Sequence, residues 1–422
     1  MHLMKNRIAV LVVFLAWGGA NSLAVDTVTL AGKVTDAAGK PLAHATVVVY
    51  HAGVKKGYNR FCPGCYADCG KRAVTDASGA FTIQGLNRDL WFELLAVHDG
   101  YTPTFVEKVD PLKGEATAAL SARTPVDNPS RVARGRVVDT HGAPMRDAVV
   151  TPLGLLRARD HGAMYGTIPD LDPIAVTNEK GEFEIAYAEP MSKVALTVEA
   201  RALAPKFVIL PAGPGRHTVT VAEGAVVRGR LVDKGQPVAG AEIGLIPRKL
   251  FGGGADLKTF GSPYDELRIG TQQDGSFAIT NAPAPEQWYI YGRMESLASR
   301  GATGLLECAT THDHQEVNVG DLEVKHAHRL QGKVILSDGK QVPEGMRVTI
   351  SSTLTRDYQT ALISAEGRFA FAGLAAGDYY LIASVKGYDL KNGTRSIAAS
   401  IHGDVGNFDI TLDPASPAQA AH

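Results

Sequence analysis

This sequence predicts an all-β chain: a tandem array of four small antiparallel β-sandwich domains behind a signal peptide. Three observations carry that prediction. Gly 45 and Pro 22 against 7% aromatics mark a chain of turns and short strands. Apolar and polar residues alternate with period two, the mark of strands with one buried face and one wet face. One module recurs at an interval of roughly 100 residues. The 422 residues exceed what one core usually fills, and no convincing helical stretch follows the N-terminus.

The chain opens "MHLMKNRIAVLVVFLAWGGANSLAVDT". Lys5 and Arg7 precede an apolar run from Ile8 to Ala20, too short to span a bilayer, and Ser22-Leu23-Ala24 is a small-x-small cleavage site. Residues 1–24 therefore read as a cleaved signal peptide; an uncleaved anchor is the alternative. No later apolar stretch is long enough for a membrane helix, so a secreted or periplasmic protein is expected, in a compartment that permits disulfides. The net charge of −1 without a basic run argues against nucleic acid as a partner.

Each module begins with a Gly-(Lys/Arg)-(Val/Leu) strand at Gly32, Gly135, Gly229 or Gly332. A second anchor follows as "TDASGAFTI", "TNEKGEFEI", "TQQDGSFAI" and "ISAEGRFAF". Gly79, Gly181, Gly275 and Gly367 supply the positive φ of a hairpin tip, and Phe81, Phe183, Phe277 and Phe369 start the return strand with rings inward. A third apolar run and a last alternating run close each copy. About seven short strands per copy suggest a small sandwich. The expected domains are 27–122, 131–222, 225–324 and 328–414, with a disordered tail at 415–422.

These motifs carry a resemblance. Gly32, Val34, Asp36, Gly39, Pro41, Thr75, Asp76, Gly79, Phe81, Gly85, Leu86, Gly100 and Tyr101 resemble the carboxypeptidase regulatory-like domain. Copy four keeps Gly367, Phe369, Gly373, Leu374, Gly387 and Tyr388, whereas copies two and three lack the Gly-Leu and Gly-Tyr pairs. The resemblance implies a transthyretin-like, Greek-key sandwich related to carbohydrate-binding-like folds. The mature chain also resembles secreted bacterial repeat proteins of unassigned function that carry a "CPxCYxDCGKR"-like loop. Such motifs specify fold far better than function.

The enzyme motifs searched for are missing. None of the thirteen histidines is followed by Glu at the third position, and HExxH, Gly-x-Ser-x-Gly and phosphate-loop patterns do not occur. The reading is a non-catalytic protein without a cofactor, binding carbohydrate or a cell-surface partner, with the ligand class resting on the resemblance. A metal-binding or thiol-redox protein is one alternative, and an accessory subunit of a separately encoded peptidase is another.

The four copies differ between the second strand and the hairpin motif. The connection runs over 51–72, 153–173 and 247–268 in the first three and shrinks to "TLTRDYQ" in the fourth. Long loops without secondary structure are often functional, so these insertions are expected to line one side of the array as a binding surface or to pack between domains. Deleting Leu155–Asp170 separates the two: lost binding with intact folding, or collapse.

Cys62, Cys65 and Cys69 share the first insertion, and the only other cysteine is Cys308. A disulfide staple rigidifying the loop is the first reading, with Cys308 available to the odd thiol only if the array folds back. A thiolate metal site completed by Asp68 or His51 is the second. A CPGC redox dithiol is the third, although the loop lacks the helix N-terminus that lowers such a thiol's pKa. Period-two placement puts His312 with His314, and His326 with His328, as further metal candidates or as exposed linker residues. Tyr289, Tyr291, Tyr165 and Tyr264 are candidate ligand platforms, with Trp288 assigned to the core and Tyr289 and Tyr291 facing out. Asn392-Gly-Thr394 fits a glycosylation acceptor.

Overall fold

The computed structural model describes residues 26–59, 66–248, 264, 266–355, 357–391 and 394–415. Residues 1–25, where a signal peptide is expected, Cys62, Cys65, most of the third insertion, Asn392 and residues 416–422 lie outside them.

Four β-sandwiches follow one another, numbered here domains 1 to 4. In domain 1, strands Ala80–Asn87, Thr27–Asp36 and Ala116–Leu120 form one sheet; Arg72–Val74, Thr46–Val54, Leu90–Val97 and Thr104–Val109 form the other. Domains 2, 3 and 4 repeat the plan around the first strands Val132–Val138, Ala225–Asp233 and His328–Leu336. Each domain has its own buried apolar cluster. The sheets are not wholly antiparallel: in every domain the first strand pairs in parallel with a late one, as Gly32–Asp36 does with Ala116–Leu120. Parity explains this in domain 1. Seven strands that reverse at each turn leave the first and the last running the same way.

The repeated residues hold the sandwich together. Gly32, Gly135, Gly229 and Gly332 stand directly opposite Phe81, Phe183, Phe277 and Phe369. A Cβ at any of these glycines would come within 2.3–2.8 Å of the facing ring, so the ring occupies the space the glycine leaves. The hairpin glycines have φ between 73° and 83° and lie against the first strand's carbonyls, where a side chain would collide. Thr75 Oγ1 donates to Leu42 O (2.6 Å) and accepts from the Ala45 N–H (2.8 Å). Thr177 and Thr271 make the same two bonds in domains 2 and 3. In domain 4 the position is Ile363, and only its backbone bond to Met346 remains.

Among the described residues helix is confined to the 3-10 turn Pro129–Arg131, a 3-10 residue at Lys391 and the single α-turn Met294–Leu297. No helix among the described residues is long and apolar enough to cross a membrane.

The array closes on itself. Domain 1 packs on domain 2 through Val48, Leu95 and Val97 against Val149, Ile174 and Val176. This explains the unbroken apolar runs "TVVVY" and "LLAV": Val47, Val49, Leu94 and Ala96 face the domain 1 core, while the residues between them face the neighbouring domain. Arg72 Nη1 reaches Glu199 Oε2 at 2.7 Å across the same junction. Asn281 of domain 3 donates to Ala202 O of domain 2 at 2.8 Å. Met294 of domain 3 enters the core of domain 4. Domain 4 then meets domain 1: Tyr58 N donates to Gly345 O (3.2 Å), Arg347 Nη1 donates to Lys56 O (3.0 Å), and Tyr58 packs on the domain 4 core.

The described parts of the insertions go into these junctions. Residues 56–59 dock on domain 4. The domain 2 insertion sends Ile168 and Leu171 into its own core and turns Gly166–Pro173 toward domain 1. Tyr264 of the third insertion hydrogen-bonds the Phe207 backbone of domain 2. Deleting Leu155–Asp170 would remove Leu155 and Ile168 from the core, so collapse is the outcome this packing favours.

Candidate functional site

The junction of domains 1 and 2 holds an open groove of about 550 Å³, within the roughly 300–1,000 Å³ range of small-molecule sites. A bulge positions its first residues. The pairing of Thr46–Val54 with Leu90–Val97 slips between Val49 and His51, so Tyr50 is the extra residue and His51 stands opposite Glu93. His51 Nδ1 and Glu93 Oε2 are then 2.8 Å apart. Phe105, opposite Leu95, packs edge-on against Tyr50 at 5.1 Å and is 42% exposed. Burial, then the Glu93 charge, pushes the Tyr50 hydroxyl above its usual pKa, so it stays a neutral donor. Domain 2 supplies the opposite wall with Thr151, Pro152, Leu153 and Gly166–Pro173. Asp172 is already neutralised by Arg123 and accepts from the Ala186 N–H at 2.6 Å.

The structure places the expected ligand tyrosines elsewhere. Trp288 is fully buried, as expected, with Nε1 donating to Thr310 Oγ1 at 3.0 Å. Tyr291 does not face out: it is buried and donates to Glu266 Oε1, and burial followed by the Glu266 charge drives its pKa well up. The sheet's outer face is covered by Glu266 and domain 4, so alternation cannot tell water from a neighbouring domain. Tyr289 is half-buried under Arg248, whose guanidinium lies 5.5 Å from the ring centroid. Tyr165 packs in the space left by Gly154. Tyr264 lies 6.5 Å from Trp288 and packs on the domain 3 core.

Among the described residues the thiol and imidazole candidates do not converge. Cys69 is half-buried against the domain 1 core. Asp68 accepts from Lys71 Nζ at 2.6 Å and His51 is paired with Glu93, so both suggested fourth ligands are engaged. Cys308 is a free thiol on the edge strand Leu306–Thr310, and burial pushes its pKa up to about 11. The array does fold back, and its described residues bring domain 1 to domain 4, whereas Cys308 belongs to domain 3. His312 and His314 sit in a turn, where the two-residue period does not apply; His314 has φ 59° and reaches Asp313 and Glu223. The His326 and His328 rings meet edge to face at 5.6 Å. Among the described residues no group of three or more His, Cys, Asp or Glu could hold a metal ion.

A second constellation, at the junction of domains 3 and 4, went unread in the sequence. Arg293 Nη1 pairs with Glu266 Oε2 at 2.5 Å, its Nη2 stands 3.7 Å from Asp357 Oδ1, and all three side chains are at least 96% buried. Burial works against the Arg293 charge, but Glu266, Asp357 and Glu242 outweigh it and hold the guanidinium charged. Asp357 Oδ2 accepts from the Met294 N–H at 2.8 Å, while Oδ1 accepts no hydrogen bond. Burial pushes the Asp357 carboxyl up to about 7 against the opposing pull of Arg293. Asp357 stands in the short "TLTRDYQ" connection while Arg293 and Glu266 come from the preceding domain, so no spacing in the sequence marks the three as neighbours.

Fold and groove together define a tandem β-sandwich protein with a ligand-sized cleft between modules. Residues 29–122 match the model of the carboxypeptidase regulatory-like domain, which bears out the resemblance of the first copy. Residues 327–410 match the BOS complex subunit NOMO1-like second beta sandwich domain. No curated protein sequence matches the chain. Among solved structures it is similar to GBS52, the minor pilin of Streptococcus agalactiae, at 14% identity and TM-score 0.24, covering 46% of this chain and 97% of that one. A streptococcal ancillary pilin matches at 12% identity and TM-score 0.24, covering 67% and 99%. The Bacillus anthracis TIE protein matches at 10% and 0.19, covering 94% and 76%. Scores this low carry no functional argument.

Proposed function

We propose that this chain is an exported, non-catalytic binding protein that holds a carbohydrate in the groove between domains 1 and 2. The juxtaposition of Phe105 and Tyr50 with the His51–Glu93 pair carries the reading. A pyranose offers an apolar face to a ring and hydroxyls to polar groups beside it. Domain 2 gives the groove its second wall, so the site needs both modules. Glycan-array binding by the mature protein, followed by calorimetry on the best ligand, tests this. Phe105→Ala is expected to weaken binding at least tenfold and Glu93→Gln several-fold, with unchanged circular dichroism. A wild-type protein that binds no glycan, or a Phe105→Ala variant that binds as well as wild type, overturns the reading.

A further inference from the structure

A second pocket opens at the junction of domains 3 and 4. It is small, about 90 Å³, and its floor and rim differ in character. The floor contains Asp357, Thr303, Thr355 and Tyr379, all buried. The rim carries Leu305, 38% exposed, Leu354, 52% exposed, and the solvated Asp378. Two large aliphatic side chains left in water beside a buried acid are an unusual pairing, because apolar exposure and carboxylate burial each cost free energy.

The floor carries an unmet demand. The Asp357 Oδ1 atom is fully buried and accepts no hydrogen bond. The other groups there are engaged: Thr303 Oγ1 accepts from the Gly292 N–H (2.7 Å), Thr355 Oγ1 from the Asp357 N–H (3.2 Å), and Tyr379 donates to Ala375 O (2.8 Å). The nearest cation does not meet it: Arg293 Nη2 stands 3.7 Å from Asp357 Oδ1, while Arg293 Nη1 is taken by Glu266 at 2.5 Å. A buried carboxylate oxygen left without a hydrogen bond is met by a proton or by a cation.

We propose that this pocket receives a lysine side chain from a partner protein, its ammonium placed on Asp357 and its aliphatic stem between Leu305 and Leu354. A lysine pairs a compact cation with a flexible apolar stem, which matches an acidic floor beneath an aliphatic rim. An amino sugar has the amine but no apolar stem for the two leucines. Asp378 at the rim adds attraction for the incoming cation. The groove between domains 1 and 2 takes no part.

The test is calorimetric titration of the full mature chain with Nα-acetyl-lysine methylamide at pH 8. Saturable binding is expected, at least tenfold weaker in Asp357→Asn and several-fold weaker in Leu354→Ser, but unchanged in Phe105→Ala. The uncharged norleucine analogue should not bind. Binding should weaken at pH 5, where a proton competes for Asp357; the charged and titratable groups around it are Arg293, Arg268, Glu266, Glu242, Tyr291, Tyr379 and Asp378. No saturable binding, equal binding of norleucine, wild-type affinity in Asp357→Asn, or preference for glucosamine overturns the proposal. Should Asp357→Asn fail to fold, Leu354→Ser on the solvated rim decides.

Discussion

Alanine at Gly57 is expected to release domain 1 from domain 4. Gly57 has φ 80° and Gly345 has φ 79°, and the two backbones touch. A Cβ on Gly57 would stand 1.9 Å from Gly345 O, an atom that cannot rotate away. The left-handed backbone alone costs an alanine about 1–2 kcal/mol, and the overlap adds to it. Among the described residues the docking hydrogen bonds, Tyr58 N to Gly345 O, Arg347 to Lys56 O and Ser384 Oγ to Asn59 Oδ1, are few, so the contact has little reserve. Small-angle X-ray scattering should show a larger radius of gyration for Gly57→Ala, while circular dichroism of the four sandwiches stays as it was. Gly345→Ala should do the same, since its Cβ would lie 2.7 Å from Gly57 Cα. Scattering curves identical to wild type would mean that the ring is held elsewhere.

Removing Arg293 should have the largest effect on stability. Arg293→Ala leaves Glu266 and Asp357 buried without their shared cation, and breaking a buried pair in this way costs roughly 3–5 kcal/mol. Trp288, fully buried in domain 3, reports the event by fluorescence in urea. The midpoint should fall well below wild type; a shift equivalent to less than about 1 kcal/mol would place the junction's strength in Met294 and the apolar contacts. Asp357 gives the same junction a pH dependence. Its carboxyl is raised from 3.8 to about 7 in the folded protein, so the folded state binds a proton that the unfolded state gives up. Its contribution is complete below pH 3.8 and fades as pH rises through 7. The wild-type urea midpoint should therefore drop between pH 5 and pH 8 by more than that of Asp357→Asn, whose amide does not titrate. Parallel pH profiles for the two proteins would show that Asp357 does not titrate in this range.

Much of each sandwich was legible locally. A glycine opposite a phenylalanine, a glycine at a hairpin tip and alternating strands act between neighbours on one sheet, and the sheet's geometry is the same in each of the four copies. Trp288 was legible for the same reason, because the inner face of a strand is inner wherever the domain sits. Tyr291 was not, because what covers the outer face comes from Glu266 and domain 4. The groove was half legible. Phe105 is an aromatic residue at an exposed register position, but the Tyr50 bulge that sets His51 against Glu93 leaves no mark in the spacing.

By itself, then, the sequence determined an all-β chain of repeated sandwiches and the residues that close each hairpin, since those depend on backbone sterics and period-two burial within one module. Only the tertiary structure decided that the modules close into a ring, that the described parts of the insertions serve its junctions, and that Asp357, Arg293 and Glu266 meet. Those contacts join residues as far apart as Tyr58 and Gly345, and complementarity between two surfaces at that separation has no period for a single chain to display.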